Sequence, residues 1–275
     1  MAGRKLTTSG KRTSGTNVPS PKKSLGQHWL TDRSILGAIA DAAELTHLDT
    51  VLEIGPGLGT LTSELLRRAG AVVAVELDSA LAKKLPGQFP GTNLQVINQD
   101  ILTFDLDTLP EDYVVVANVP YYITAKIVQY LLNAENTPKT IVLLVQKEVA
   151  ERLAARAGDM SILALSAQAY AEVSLDIRVP AIYFTPPPKV ESQVVVLKRR
   201  PEPLITHAEE RAFFRLVKAG FSAKRKKLRS SLSAGLNRSK DEIDQLLASV
   251  NIDSNRRAED LSIEEWKQIL QIVSP

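Results

Sequence analysis

The run Val51-Leu52-Glu53-Ile54 followed by Gly55-Pro56-Gly57-Leu58-Gly59 constrains this chain more than any other stretch. A short apolar strand enters a glycine turn, and Thr60 to Arg68 then has the apolar spacing of a helix stopped by Gly70. Ala71 to Val75 reads as a second strand and ends at Glu76. This is one βαβ unit. Its loop glycines let a ligand approach the backbone at a helix N-terminus, and an acid at the end of the second strand can accept both hydroxyls of a ribose. A tight turn without a ligand has no use for that terminal acid.

The loop also bears on which nucleotide would bind. Dinucleotide folds carry G-x-G-x-x-G, whereas here the spacing is G-x-G-x-G, preceded by Glu53. Pyrophosphate favours amide-rich helix N-termini. A sulfonium cofactor has no phosphate and carries a positive charge, so a loop flanked by an acid suits S-adenosylmethionine better.

Strands and helices continue to alternate. Leu94 to Ile97 is a third strand, leading to Asn98-Gln99-Asp100, where Asp100 can accept from an adenine amino group. Tyr113 to Ala117 is a fourth, rich in β-branched residues and ending at Asn118. Thr140 to Val145 is a fifth, leading into a helix over 148–156, and Ala171 to Val179 and Ser192 to Leu197 are a sixth and seventh. Such a pattern predicts a doubly wound α/β sheet of seven strands, whose last pair, lacking a long helix between them, forms an antiparallel edge. Ligands of such sheets sit at the carboxyl ends of the strands. Before the first strand, Ser24-Leu25-Gly26-Gln27-His28-Trp29-Leu30 mixes polar and large apolar groups and can close over a small molecule. Thr31 or Asp32 then caps a helix with Ile35, Leu36, Ile39, Ala42 and Ala43 on one face.

Asn118-Val119-Pro120-Tyr121 lies at the sheet's ligand-binding edge. An amide oxygen and a neighbouring carbonyl accept from an NH2 group, Pro120 stiffens the turn, and Tyr121 can stack on a ring. On the tetrapeptide alone, an ordinary strand end with a core tyrosine fits as well. Phe184-Thr185-Pro186-Pro187-Pro188-Lys189-Val190 is a stiff loop headed by an aromatic, predicted to lie over the same edge.

Charge is distributed unevenly along the 275 residues. Residues 1–23 hold Arg4, Lys5, Lys11, Arg12, Lys22 and Lys23 and no acid, so the net charge of +3 becomes −3 over the remainder. This segment is nearly empty of large apolar side chains and is expected to be flexible, as an RNA-binding arm or, somewhat better supported, a solubilising tail. A second basic segment follows a helical stretch carrying Phe213, Phe214, Leu216 and Val217. Five of the six residues Lys224-Arg225-Lys226-Lys227-Leu228-Arg229 are basic, a density beside Phe221 and Leu228 that favours phosphate contacts. With no cysteine and three scattered histidines (His28, His47, His207), disulfides, thiolate catalysis and zinc sites are not expected. No apolar run reaches the ~18 residues of a membrane span, and the cytoplasm is the expected compartment. No dimer stripe is evident, which favours a monomer.

Assembled, these motifs closely resemble the small-subunit (16S) ribosomal RNA adenine N6,N6-dimethyltransferase family. The matching pieces are Gly26 to Leu30, Glu53 to Gly59, Glu76, Gln99-Asp100, Asn118 to Tyr121, Phe184 to Val190 and Phe221 to Arg229, in the family's order. The resemblance implies a Rossmann-like, seven-stranded class I methyltransferase sheet with a small C-terminal helical domain. Its boundaries are a basic tail over 1–23, a methyltransferase domain over 24–200 and a helical RNA-binding domain over 201–275. It implies that His28, Leu30, Gly55, Gly57, Glu76, Asp100 and Asn118 bind S-adenosylmethionine. Asn118, Val119, Pro120 and Tyr121 then hold the target adenine, with Phe184 on its other face, while Lys22, Lys23, Lys224, Arg225, Lys226, Lys227 and Arg229 meet RNA. The implied partner is small-subunit rRNA or an immature 30S particle. Departures from the family's usual pattern are His28 (Asn), Trp29 (Phe), Tyr122-Ile123-Thr124 (Asn-Ile-Ser) and the segment 157–161. The competing expectations are a large-subunit rRNA methyltransferase of the macrolide-resistance type, a DNA adenine methyltransferase, and a ribosome-assembly factor acting chiefly by binding.

Overall fold

The computed structural model describes residues 21–22, 25–120 and 122–273, with the His207 side chain outside the described set. The basic segment 1–23, apart from residues 21–22, and Tyr121 therefore lie outside the described residues. In chain order the elements are β1 (Trp29–Leu30), α1 (Arg33–Asp41), β2 (Thr50–Ile54), α2 (Thr60–Leu66), β3 (Ala71–Glu76), α3 (Ser79–Lys84) and β4 (Leu94–Asn98). Next come β5 (Val114–Asn118), α4 (Thr124–Leu132), β6 (Thr140–Gln146), α5 (Lys147–Leu153), α6 (Ile162–Gln168), β7 (Ala171–Val179), β8 (Phe184–Thr185) and β9 (Ser192–Arg199). Four helices finish the chain: α7 (His207–Phe221), α8 (Leu228–Leu236), α9 (Lys240–Ser249) and α10 (Ile263–Val273).

Seven strands form one sheet in the order β4-β3-β2-β5-β6-β9-β7. The first five in that order run parallel. The predicted antiparallel pair is present, but β9 is inserted between β6 and β7 and is antiparallel to both. The chain order reverses between β2 and β5, which opens the crevice where doubly wound sheets bind ligands.

Both faces of the sheet are covered, so the central strands read as continuous apolar runs. On one side Val115, Ala117, Leu143 and Val145 pack with Ile127 of α4, Leu165 of α6 and Phe213 of α7. On the other, Val114, Val116, Val142 and Leu144 pack with Leu36 and Ile39 of α1 and Leu61 and Leu65 of α2. Asp32, not Thr31, caps α1, accepting from the Ser34 and Ile35 N–H groups. The helix predicted over 60–68 ends at Leu66, and that predicted over 148–156 runs from Lys147 to Leu153.

A second, two-stranded sheet had no signal in the sequence. Trp29 pairs with Thr185 and Leu30 with Phe184, so β1 and β8 stitch the segment before α1 to the proline-rich loop. The C-terminal helices share the apolar cluster of the α4 side. Trp266 is fully buried and stacks on Phe221, and Leu228 is buried in the same cluster. Gly158 and Met160, in the segment that departs from the family's pattern, both donate their N–H groups to the Glu259 carbonyl.

Candidate active site

The carboxyl ends of β2, β3, β4 and β5 open into one cleft of about 1130 Å3, counting the space at its open mouth. His28, Leu30, Gly55, Gly57, Glu76, Asp100, Asn118, Val119, Pro120 and Phe184 all line it. The topology thus brings together every described member of the predicted cofactor and adenine sites. Glu53, Trp29, Gln99 and Tyr122 line it as well.

The glycine turn is shaped for this approach. Gly55 has φ +68° and no atom within 4 Å of where a Cβ would stand, so its backbone faces open space. Gly57 has φ +57°, and a Cβ there would lie 2.8 Å from the Trp29 ring. The loop and the Trp29 side chain therefore fit only if residue 57 has no side chain.

Glu76 is held by the backbone. Its Oε2 accepts from the Gly57 N–H at 3.0 Å and its Oε1 from the Asp78 N–H at 2.8 Å. These bonds orient the carboxylate while leaving lone pairs for a ligand. Burial nonetheless raises its pKa, with the backbone bonds working in the opposite direction. Asp100 uses one oxygen to accept from the Leu102 N–H at 3.0 Å.

Glu53 is the unusual acid. It is 1 % exposed, and neither carboxyl oxygen completes a hydrogen bond. Burial pushes its pKa to about 8; the nearby Thr62 hydroxyl opposes this and the charge of Glu76 adds to it. At neutral pH Glu53 is therefore mostly a neutral acid. Its alternation places it with Val51, toward α1 and α2, and not beside the Gly57 amide.

Asn118 is half-buried at the tip of β5 and lines the cleft, as the sequence led us to expect. The Pro120 carbonyl accepts from the Ile123 N–H at 3.2 Å, closing the turn into α4. Phe184 differs from expectation in its setting. It is 3 % exposed and packs in the α1–α2 cluster, so it forms a wall of the cleft and not a free-standing ring. Among the described residues, the freely accessible aromatic at the cleft is Tyr122, 67 % exposed, which reading the sequence had noted only as a departure.

The predicted RNA contacts divide into two groups. Lys224, Arg225, Lys226 and Lys227 are exposed between α7 and α8, although Lys227 also donates to Asn255 Oδ1 at 2.8 Å. Arg229 pairs with Asp244 at 2.7 Å, and Lys22 pairs with Asp78 at 2.8 Å. Those two cations are committed to the protein's own carboxylates. Of Phe221 and Leu228, read as flanking an RNA contact, Leu228 is instead part of the apolar core and Phe221 packs, half-buried, against it.

The whole of residues 19–274 matches the family of ribosomal RNA adenine dimethylases. This chain belongs to the ribosomal RNA adenine dimethylase family. A relative from Dehalococcoides mccartyi (strain CBDB1), called ribosomal RNA small subunit methyltransferase A, is 45% identical over 252 residues, covering 90% of this chain and 87% of its own. The protein of the same name from Bacillus mycoides (strain KBAB4) is 41% identical over 258 residues, covering 89% and 88%. Among solved structures, the 23S rRNA methyltransferase ErmE superposes with a TM-score of 0.75 at 30% identity, covering 90% of this chain and all (100%) of that one. A dimethyladenosine transferase from Plasmodium falciparum superposes with a TM-score of 0.76 at 28% identity, covering 88% and 96%. The dimethylase is thus an α/β enzyme of Rossmann-like, methyltransferase architecture. Among its described residues no helix is long and apolar enough to cross a membrane, and no group of three or more His, Asp or Glu side chains is placed to hold a metal ion.

Proposed function

We propose that this dimethylase transfers methyl groups from S-adenosylmethionine to N6 of adenosines near the 3′ end of small-subunit rRNA, giving N6,N6-dimethyladenosine during ribosome maturation. The observation that carries the reading is the convergence of Asn118 and the Gly57–Glu76 cradle on one cleft.

The residues present fit the cofactor. Gly55 leaves the floor open, Glu76 presents an oriented carboxylate to a ribose, and Asp100 keeps a second oxygen for an adenine amine. Glu53, mostly protonated at neutral pH, does not supply the charge expected of it from the sequence, and Asp100 and Glu76 are the acids left in the lining to suit a cationic ligand. Bound S-adenosylmethionine supplies an electrophilic methyl group on a positively charged sulfur.

Asn118 and the turn then act on the acceptor. The lone pair of adenine N6 is delocalised into the ring, which makes it a weak nucleophile. The Asn118 amide oxygen and a turn carbonyl accept its two hydrogens and favour a more tetrahedral nitrogen. The Pro120 carbonyl already accepts from the Ile123 N–H, which favours the Val119 carbonyl as the second acceptor. Tyr121 stacks on the extruded base against the Phe184 wall, stacking contributing roughly 1–3 kcal/mol per base. The site works by positioning and fixed dipoles, with no covalent intermediate. Lys224, Arg225 and Lys226 hold the RNA backbone from the helical region over 201–275.

Labelled S-adenosylmethionine with immature small-subunit particles is expected to place two labelled methyl groups on adenosines of the small-subunit RNA. The superposition on ErmE favours one rival, methylation of large-subunit rRNA. Label entering naked 23S rRNA in preference to the particle would replace the first reading with that one.

A further inference from the structure

The segment Leu25–Leu30 crosses the cleft as a strap. Its far end is fixed: Thr60 Oγ1 donates to the Leu30 carbonyl at 2.9 Å, and His28 Nδ1 donates to the Pro186 carbonyl at 2.6 Å. In its middle, a Cβ on Gly26 would touch Pro120 at 3.4 Å and the Tyr122 ring at 3.6 Å, so the strap rests on the turn that follows Asn118.

Its near end is held by charge. Lys22 Nζ sits 2.8 Å from Asp78 Oδ2, with side chains 53 % and 3 % exposed respectively. Gln27 Nε2 reaches the same oxygen at 3.5 Å, and the Lys22 N–H donates to Gln27 Oε1 at 2.8 Å. The Leu25 N–H donates to the Lys22 carbonyl at 3.1 Å. Asp78 caps α3 with its other oxygen and gives its own N–H to Glu76 Oε1. A single chain of contacts therefore runs from Lys22 through Asp78 to the acid that faces the ribose.

We propose that Lys22 is a positioning residue for methyl-donor binding: by neutralising buried Asp78 it pins the strap over the cleft beside Glu76, and it is not an RNA contact. This rests on the reading that the cleft holds S-adenosylmethionine. Without Lys22, a nearly inaccessible carboxylate keeps one backbone N–H and one long amide contact beside a second carboxylate. The strap then loses its near anchor, and the fraction of molecules with a complete site falls. Apparent affinity falls by the same factor.

The test measures S-adenosylhomocysteine binding by calorimetry and hydrogen exchange of the Gln27–Leu30 amides on the full chain. Lys22→Met is expected to weaken binding about tenfold if the complete site falls to about a tenth of molecules. It should raise the KM for S-adenosylmethionine in parallel, leave kcat and the KM for RNA within twofold, and speed exchange across the strap. Lys22→Arg should restore all three. In an Asp78→Asn background, which keeps the helix cap, Lys22→Met should have little further effect. Unchanged S-adenosylhomocysteine affinity with a raised KM for RNA would overturn the proposal, as would an equal loss in the Asp78→Asn background. Failure of the wild-type protein to bind S-adenosylhomocysteine would overturn the cofactor reading itself, a result distinct from wild-type binding that Lys22→Met leaves unchanged.

Discussion

The proposed reaction concentrates its chemistry in one side chain, Asn118. Asn118→Ala removes the acceptor proposed for the adenine amine while leaving Glu76 and Gly57 in place. Transfer is expected to fall roughly 100-fold or more, with S-adenosylhomocysteine binding weakened only a few-fold, as single-turnover kinetics and calorimetry would measure. Glu53 makes a different prediction. Its folded pKa of about 8 lies above its ordinary value of 4.5, so the folded protein holds a proton that the unfolded chain releases. Its contribution is most favourable below about pH 4.5 and is lost as pH rises toward 8, at up to ~1.4 kcal/mol per pH unit. Glu53→Gln cannot release that proton. The melting temperature of the variant relative to wild type should therefore rise between pH 5 and pH 8.5. A constant difference would mean Glu53 ionises normally. The tetrapeptide 118–121 was legible as a candidate because chemistry and strand end coincide in sequence. The ion pair of Lys22 was not, because its partner is the N-cap of α3, more than fifty residues away in sequence, and a free lysine is the default reading of a basic tail.

At the scale of elements, the close approach of α7 and α10 is the clearest case. Gly220 stands where a Cβ would overlap the Trp266 ring, and that ring is fully buried. Alanine improves helix propensity by ~1 kcal/mol, but overpacking costs about 1–3 kcal/mol. The buried ring has no room to yield, so Gly220→Ala should give a net loss of about 1–2 kcal/mol in denaturant unfolding. Affinity for S-adenosylhomocysteine should be unchanged, since the cleft lies on the sheet. Strand positions were readable because strands covered on both faces need apolar residues throughout. The β1–β8 pair was not. Two residues on each side have no periodicity, and every strand of the main sheet except β9 lies between them in sequence.

At the scale of the molecule, the proposed RNA contact falls to the basic side chains for which no internal ion pair is found among the described residues. Lys224, Arg225 and Lys226 are exposed and, among the described residues, have no carboxylate partner of the kind that holds Arg229 and Lys22. Replacing the three with alanine should weaken binding to small-subunit particles and lower the slope of log affinity against log salt by about 2–3 if each meets a phosphate. Methyl-donor affinity should not move. An unchanged slope would place the RNA surface elsewhere. The alternating strands, the glycine turn with its terminal acid and the Asn118 motif determined the fold class and the cleft's lining in the sequence alone, because each depends on neighbours within a few residues. Only the tertiary structure decided which charges are free, where Phe184 lies and how the strap is held. Burial and ion pairing are set by residues that folding brings together from distant parts of the chain.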